Sequence, residues 1–151
     1  MEKRGRILLA DDDVLLQHSV RRVAEAAGYE VITAMTGHEV ISIAADTQPD
    51  LIVLDIRFPD ADGRDLLKVL KLNRRTESIP VLMWSASNYD SDRRIALALG
   101  AEDYVEKGSP ATLLPKIARV LFRLKQQASP SDSPIEADTG LALRPTSGAG
   151  R

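Results

Sequence analysis

Five polar residues, Asp11, Asp12, Asp55, Ser85 and Lys107, stand where four segments of the chain end. Ile7–Ala10 runs into Asp11-Asp12-Asp13, Leu51–Leu54 into Asp55, Ile79–Trp84 into Ser85-Ala86-Ser87, and the shorter Ala101–Glu106 into Lys107. Two or three carboxylates with no His or Cys beside them are hard oxygen ligands, which suit Mg²⁺ better than zinc. A metal next to Asp55 would offset like-charge repulsion and leave a carboxylate oxygen free as a nucleophile. Lys107 can pair with Asp55 and then with a phosphoryl oxygen, and the Ser85 hydroxyl can serve another oxygen. Phosphoryl transfer needs mainly in-line positioning and charge neutralisation, and this set holds groups for both. Singly, each residue has an ordinary explanation. An Asp after a strand is most often a cap or turn residue, and a Lys there is most often a solvated surface residue. The weight lies in the joint pattern.

That pattern needs elements that bring the segment ends together. Leu51–Leu54 has no polar alternation and reads as a strand buried on both faces. Ile7–Ala10, Tyr29–Ala34, Ile79–Trp84 and part of Ala101–Glu106 read as four further strands. Between them lie helical spacings. Leu16, Val20, Val23 and Ala27 form one apolar stripe, with Gln17, His18, Arg21, Arg22 and Glu25 on other faces and Gly28 as the stop. Thr36 and Glu39 have the spacing of a capping box ahead of Val40, Ile41 and Ala44, and Pro49 ends that helix. Leu66, Leu67 and Leu70 give the third helix its apolar face, followed by a polar loop from Asn73 to Ser78. A fourth helix runs from Asp90 to Leu99 with Gly100 as its cap. For the fifth, Pro115 argues for a helix from about Leu113 to Gln126, with Ser109–Ala111 as a turn and Leu114, Ala118 and Leu121 facing inward, because a proline past the first turn costs about 3 kcal/mol. Strands alternating with helices imply right-handed crossovers and an α/β fold with a parallel sheet covered on both faces. In such a sheet all the strand ends named above share one edge, where ligands bind.

The bulk composition narrows the function. A chain of 151 residues suits one core, and 44% hydrophobic with 28% charged residues is the balance of a soluble globular protein. Lys and Arg total 20 against 22 Asp and Glu, so the net charge of -2 gives no electrostatic case for nucleic acid or a membrane surface. With no Cys, disulfides and thiolate metal sites are excluded, and His18 and His38 are too few for most His-rich zinc sites. The apolar run after Met1–Arg6 is too short for a signal segment or a membrane span, which points to a cytoplasmic protein. From Ala128 the composition turns to Ser, Pro and Gly, so residues 128–151 read as a disordered tail or linker after a domain of residues 1–127.

The four segments, with Pro59, Asp62 and Gly63 after Asp55 and with Tyr104 before Lys107, resemble the receiver domain of two-component response regulators over about residues 5–126. The resemblance implies a flavodoxin-like (βα)5 fold with strand order 2-1-3-4-5. It implies that Asp55 accepts a phosphoryl group from a histidine kinase, a phosphotransfer protein or a small donor such as acetyl phosphate. Asp12 and Asp55 would ligate Mg²⁺, supported by Asp11 and by the backbone carbonyl of Arg57. Ser85, Ala86, Tyr104 and Lys107 would bind the phosphoryl group and carry the switch. Output would pass to a downstream protein target through a helix-four, strand-five, helix-five face bearing Arg93, Leu97, Tyr104 and Ile117, and a phosphorylation-dependent homodimer is compatible with it. Two residues depart from the family. Lys107 is followed by Gly108 instead of Pro, so a trans bond and a more flexible loop are expected. Arg57, two residues after Asp55, is long and cationic and either leans over the site and changes the phosphoryl lifetime or points to solvent.

Three other readings compete. A haloacid-dehalogenase phosphatase needs a second Asp two residues after the first, where this chain has Arg57. A flavin binder of the same architecture needs a phosphate-cradling loop, which the sequence lacks. A phosphorylation-independent receiver-like adaptor would not need the full set of acidic pair, acceptor, hydroxyl and Lys.

Overall fold

The computed structural model describes residues 3–127. Strand and helix alternate throughout as β1 (Gly5–Ala10), α1 (Val14–Ala26), β2 (Tyr29–Ala34), α2 (Gly37–Thr47), β3 (Leu51–Leu54), α3 (Gly63–Leu72), β4 (Val81–Ser85), α4 (Asp90–Ala98), β5 (Asp103–Glu106) and α5 (Pro110–Gln127). The strands form one parallel sheet in the order β2-β1-β3-β4-β5, the flavodoxin-like arrangement expected. The compact unit that carries the site ends at Ala118, part-way along α5. No helix among the described residues is long and apolar enough to cross a membrane.

Side-chain alternation divides the sheet into two faces. Leu8, Ala10, Ile52, Leu54, Val81 and Met83 join Val40, Leu67 and Leu70 in one core cluster. Leu9, Val53 and Trp84 fall on the other face and are equally buried. β3 is buried along its whole length, in keeping with its unbroken apolar sequence. Each such Leu or Ile contributes about 1.5–3 kcal/mol by leaving water.

Local chemistry sets the helix ends. Asp13 caps α1 by accepting from Leu16 N at 3.1 Å. Thr36 and Glu39 form the expected capping box of α2. Gly28 and Gly100 close α1 and α4 with φ of +101° and +111°, a region where an L side chain is strained.

Four expectations need correction. Gln17 is buried, because the tops of β1 and β2 present carbonyls that need a donor; its Nε2 donates to Asp11 O at 2.7 Å and Ala34 O at 3.0 Å. α5 begins at Pro110 and contains Pro115. Its first turn is tight, with Thr112 N and Oγ1 both donating to Ser109 O at 3.0 and 2.8 Å. Pro115 and Ala111, one turn earlier, are exposed, so water can serve the carbonyl that loses its N–H partner. The inward face is therefore Leu113 and Ile117, one residue out of phase with the predicted stripe. The polar loop after α3 holds Thr76, which is fully buried with its hydroxyl on Leu70 O at 2.7 Å. The proposed tail, residues 128–151, lies outside the described residues.

Candidate functional site

The parallel ladder continues one residue past β1 and β3 and past β5, which aligns the polar ends. Asp11 N donates to Ala34 O, Asp55 N to Ala10 O and Lys107 N to Ser85 O, at 3.0, 3.1 and 2.7 Å. Asp11 and Asp55 are buried and Asp12 is exposed, and one carboxylate oxygen from each lies within 4.8 Å of the others. The spacing expected of the three acids is thus met in space.

Lys107 closes this cluster. Its Nζ donates to Asp55 Oδ2 at 3.1 Å and lies 2.7 Å from Asp11 Oδ2. The remaining oxygens are also engaged: Asp55 Oδ1 accepts from Ile56 N at 2.7 Å, and Asp11 Oδ1 from Asp13 N at 2.9 Å. Burial pushes the Asp11 carboxyl above the ordinary Asp range, although Lys107 and the Asp13 N–H oppose it. Burial alone would lower the Lys107 ammonium, but Asp11 and Asp55 outweigh it and hold it above the usual Lys value. The half-buried cation between two carboxylates thus sets the Lys107 shift, while burial sets that of Asp11 against the same contact.

Ser85 is buried at the end of β4, and its Oγ accepts from Ser87 N at 3.2 Å. Ala86 lies exposed at the start of the following loop. Tyr104 already points inward, and its hydroxyl donates to Ser87 O at 2.9 Å. Ser87 Oγ donates to Asp92 on α4, and Arg64 on α3 reaches Asp92 at 3.4 Å while gripping Asp62 at 2.8 and 3.1 Å. A polar chain thus runs from Ser85 through Ser87 and Asp92 to the α3 cap. No sequence pattern signals it, because Ser87, Asp92 and Arg64 read as ordinary loop and helix-surface residues.

Of the four expected output residues, Arg93 and Leu97 are exposed on α4. Arg93 donates to Tyr104 O at 2.9 Å and pairs with Asp103 at 3.4 Å, beside a recess of about 120 Å³ that Tyr89 and Glu106 also line. Tyr104 and Ile117 are buried and cannot belong to an exposed face, Tyr104 because its ring packs in the core cluster and Ile117 because it is on the inward side of α5. Arg57 is exposed, and among the described residues its side chain makes no hydrogen bond or ion pair. The peptide bond between Lys107 and Gly108 is trans.

Asp60 is a further residue that spacing did not single out. Its two carboxylate oxygens accept from Gly37 N at 2.8 Å and His38 N at 3.0 Å, so the loop after Asp55 is tied to the first turn of α2.

Residues 7–119 match the family model described as the response regulator receiver domain. The chain is 35% identical over 144 residues to the phosphate regulon transcriptional regulatory protein PhoB of Pseudomonas aeruginosa, covering 93% of this chain and 61% of that protein. The chain therefore spans less than two thirds of that relative's length. Among solved structures it resembles chemotaxis response regulator CheY4 of Vibrio cholerae, with a TM-score of 0.72 and 27% identity over 80% of this chain and 99% of that one. It also resembles the BeF3-activated N-terminal receiver domain of Klebsiella pneumoniae RstA, with a TM-score of 0.70 and 25% identity over 77% of this chain and 97% of that one. The acidic cluster, the Lys that closes it, the strand order and the sequence match agree, and the chain belongs to the response regulator receiver domain family.

Proposed function

We propose that Asp55 is the phosphoacceptor of a signalling switch that occupies residues 1–127. The observation that carries this reading is the Lys107 ammonium held between the Asp55 and Asp11 carboxylates, with Asp12 alongside. An Asp55 carboxylate oxygen attacks phosphorus, a P–O bond to the aspartate forms, and the bond to the donor nitrogen or oxygen breaks with its electron pair staying on the donor. Lys107, already on Asp55 Oδ2, moves to a phosphoryl oxygen. Ser85 releases the Ser87 N–H and gives its hydroxyl to another. Tyr104, anchored on Ser87 O, follows the loop. The donor is a histidine kinase, a phosphotransfer protein or acetyl phosphate, and the receiver of the signal is a protein that docks on α4 and β5 at Arg93 and Leu97.

Three oxygen-only donors gathered within 4.8 Å fit a hard divalent cation. Asp11, Asp12, Asp55 and the Arg57 carbonyl would hold Mg²⁺. Bound there, the ion supplies neutralisation of the charge on the transferring group. Arg57, exposed and two residues after the acceptor, alters how long the phosphoryl group survives.

Wild type and Asp55→Asn, each incubated with Mg²⁺ and either acetyl phosphate or beryllofluoride, test the reading. Wild type is expected to gain an acid-labile phosphate and to bind beryllofluoride, and the variant to do neither. Silence in wild type would leave a phosphorylation-independent adaptor as the function.

A further inference from the structure

Lys107 has a neighbour that the carboxylates do not account for. β3 and β4 pair in register up to Leu54 and Met83, and one step further along come Asp55 and Trp84. Trp84 in turn pairs with Val105, two residues before Lys107, so the indole lies on the sheet face toward which Lys107 projects. The Lys107 Nζ sits 5.6 Å from the centroid of the Trp84 ring, within the range of a cation–π contact. The ring is 1% exposed, so it is fixed by packing and the contact is largely shielded from water.

Packing alone does not account for an indole at this position. Its Nε1–H is buried and has no hydrogen-bond partner among the described residues. An orphaned donor costs free energy that Leu or Met in the same place would avoid. The ring face, which those aliphatic residues lack, is what meets the ammonium. Gly108, the next residue, is exposed and adds no side chain beside Lys107.

We propose that Trp84 is the positioning residue for Lys107, a platform on which the ammonium exchanges a carboxylate oxygen for a phosphoryl oxygen without leaving the ring. A hydrogen bond would tie the ammonium to one oxygen. The attraction to a ring face is broad and lets the ammonium change oxygens while its distance from the site is held. The inference rests on Asp55 being the phosphoacceptor.

Calorimetric titration of the full 151-residue chain with beryllofluoride in Mg²⁺ tests it. Trp84→Met, which fills the volume without a ring, is expected to bind roughly three- to thirtyfold more weakly than wild type. Trp84→Phe, which restores a ring face, is expected to fall between them. In a Lys107→Met background the Trp84→Met change is expected to add little, because the ring then has no cation to place. A full additive loss in that background, or wild-type binding by Trp84→Met, overturns the proposal while leaving the phosphoacceptor reading intact. No binding by wild type overturns both. If Trp84→Met does not fold, Lys107→Met alone decides. Trp84 is the only Trp of the chain, and its emission in the metal-free protein is expected to change when the ammonium is removed. Unchanged emission would refute the contact.

Discussion

The α-carbon of Gly63 lies against the backbone carbonyl of Asp55: a β-carbon at residue 63 would stand 2.0 Å from that oxygen and 2.7 Å from the Ile56 α-carbon. The approach is closed by Gly63 N donating to Ile56 O at 2.5 Å. The start of α3 is thus packed directly on the main chain of the acceptor, and both partners at the contact are backbone.

Gly63→Ala is accordingly expected to cost about 3 kcal/mol or more, because neither side can yield by a rotamer change. Thermal unfolding measures the loss. Beryllofluoride binding is expected to weaken in the fraction that folds, since the relief must come from the chain around Asp55. A variant as stable as wild type would contradict the packing described.

Asp11 should show the opposite trade. Its carboxyl is held above the ordinary Asp range, first by burial, so the folded protein binds this proton more tightly than the unfolded chain. Ionised Asp11 therefore subtracts stability above that raised value, and the loss is recovered as the pH falls through it. Asp11→Asn removes the charge and leaves Lys107 on Asp55. The metal-free variant is expected to melt at a higher temperature than wild type at pH 7 while binding Mg²⁺ more weakly, and an unchanged or lower melting temperature would refute the argument.

Asp60 behaves in the reverse sense. The N–H groups of Gly37 and then His38 hold its carboxyl below the ordinary Asp range. Its contribution to stability is present above the ordinary Asp value of about 3.9 and is lost as the pH falls through the lower folded value. Asp60→Ala is expected to be less stable than wild type by a constant margin from pH 7 down to about pH 4, and the margin to close in more acid solution. A margin that stays level to pH 2 would rule out this tie as its source.

Arg64 spans two helices through Asp62 and Asp92, but it keeps a third of its side-chain surface in water. Arg64→Ala is expected to cost only about 0.5–1 kcal/mol at low salt, less at high salt. Arg64→Lys should not restore it, because a single ammonium cannot reproduce the two-nitrogen grip on Asp62. Urea unfolding at two ionic strengths measures both effects.

The polar strand ends were legible in the sequence because short apolar runs alternating with helical spacings read as the strands of a parallel sheet, which puts their ends on one edge. The capping box at Thr36 and Glu39 was legible for the same kind of reason, since a local rule fixes both partners. Gln17 was not, because its burial depends on carbonyls from β1 and β2 that come together only in the fold. Ile117 faces inward although the family's usual output surface includes α5, and Pro115 is tolerated past the first turn of α5 because it lies on the exposed side. Asp60 sits in a turn, and 23 residues separate it from Gly37, so no local pattern could link them.

The cation that closes the acidic cluster is also the last part of it to be made. Lys107 lies 52 residues beyond Asp55, at the end of the final strand of the sheet. On a ribosome, Asp11, Asp12 and Asp55 have all emerged while their counter-charge has yet to be translated. A chain stopped before β5 would hold the three acids with no ammonium among them. The half-built sheet would carry a self-repelling edge that a contact from beyond its last strand partly relieves. Lys107 offsets one of the three carboxylate charges, so the edge stays net negative even when the sheet is complete.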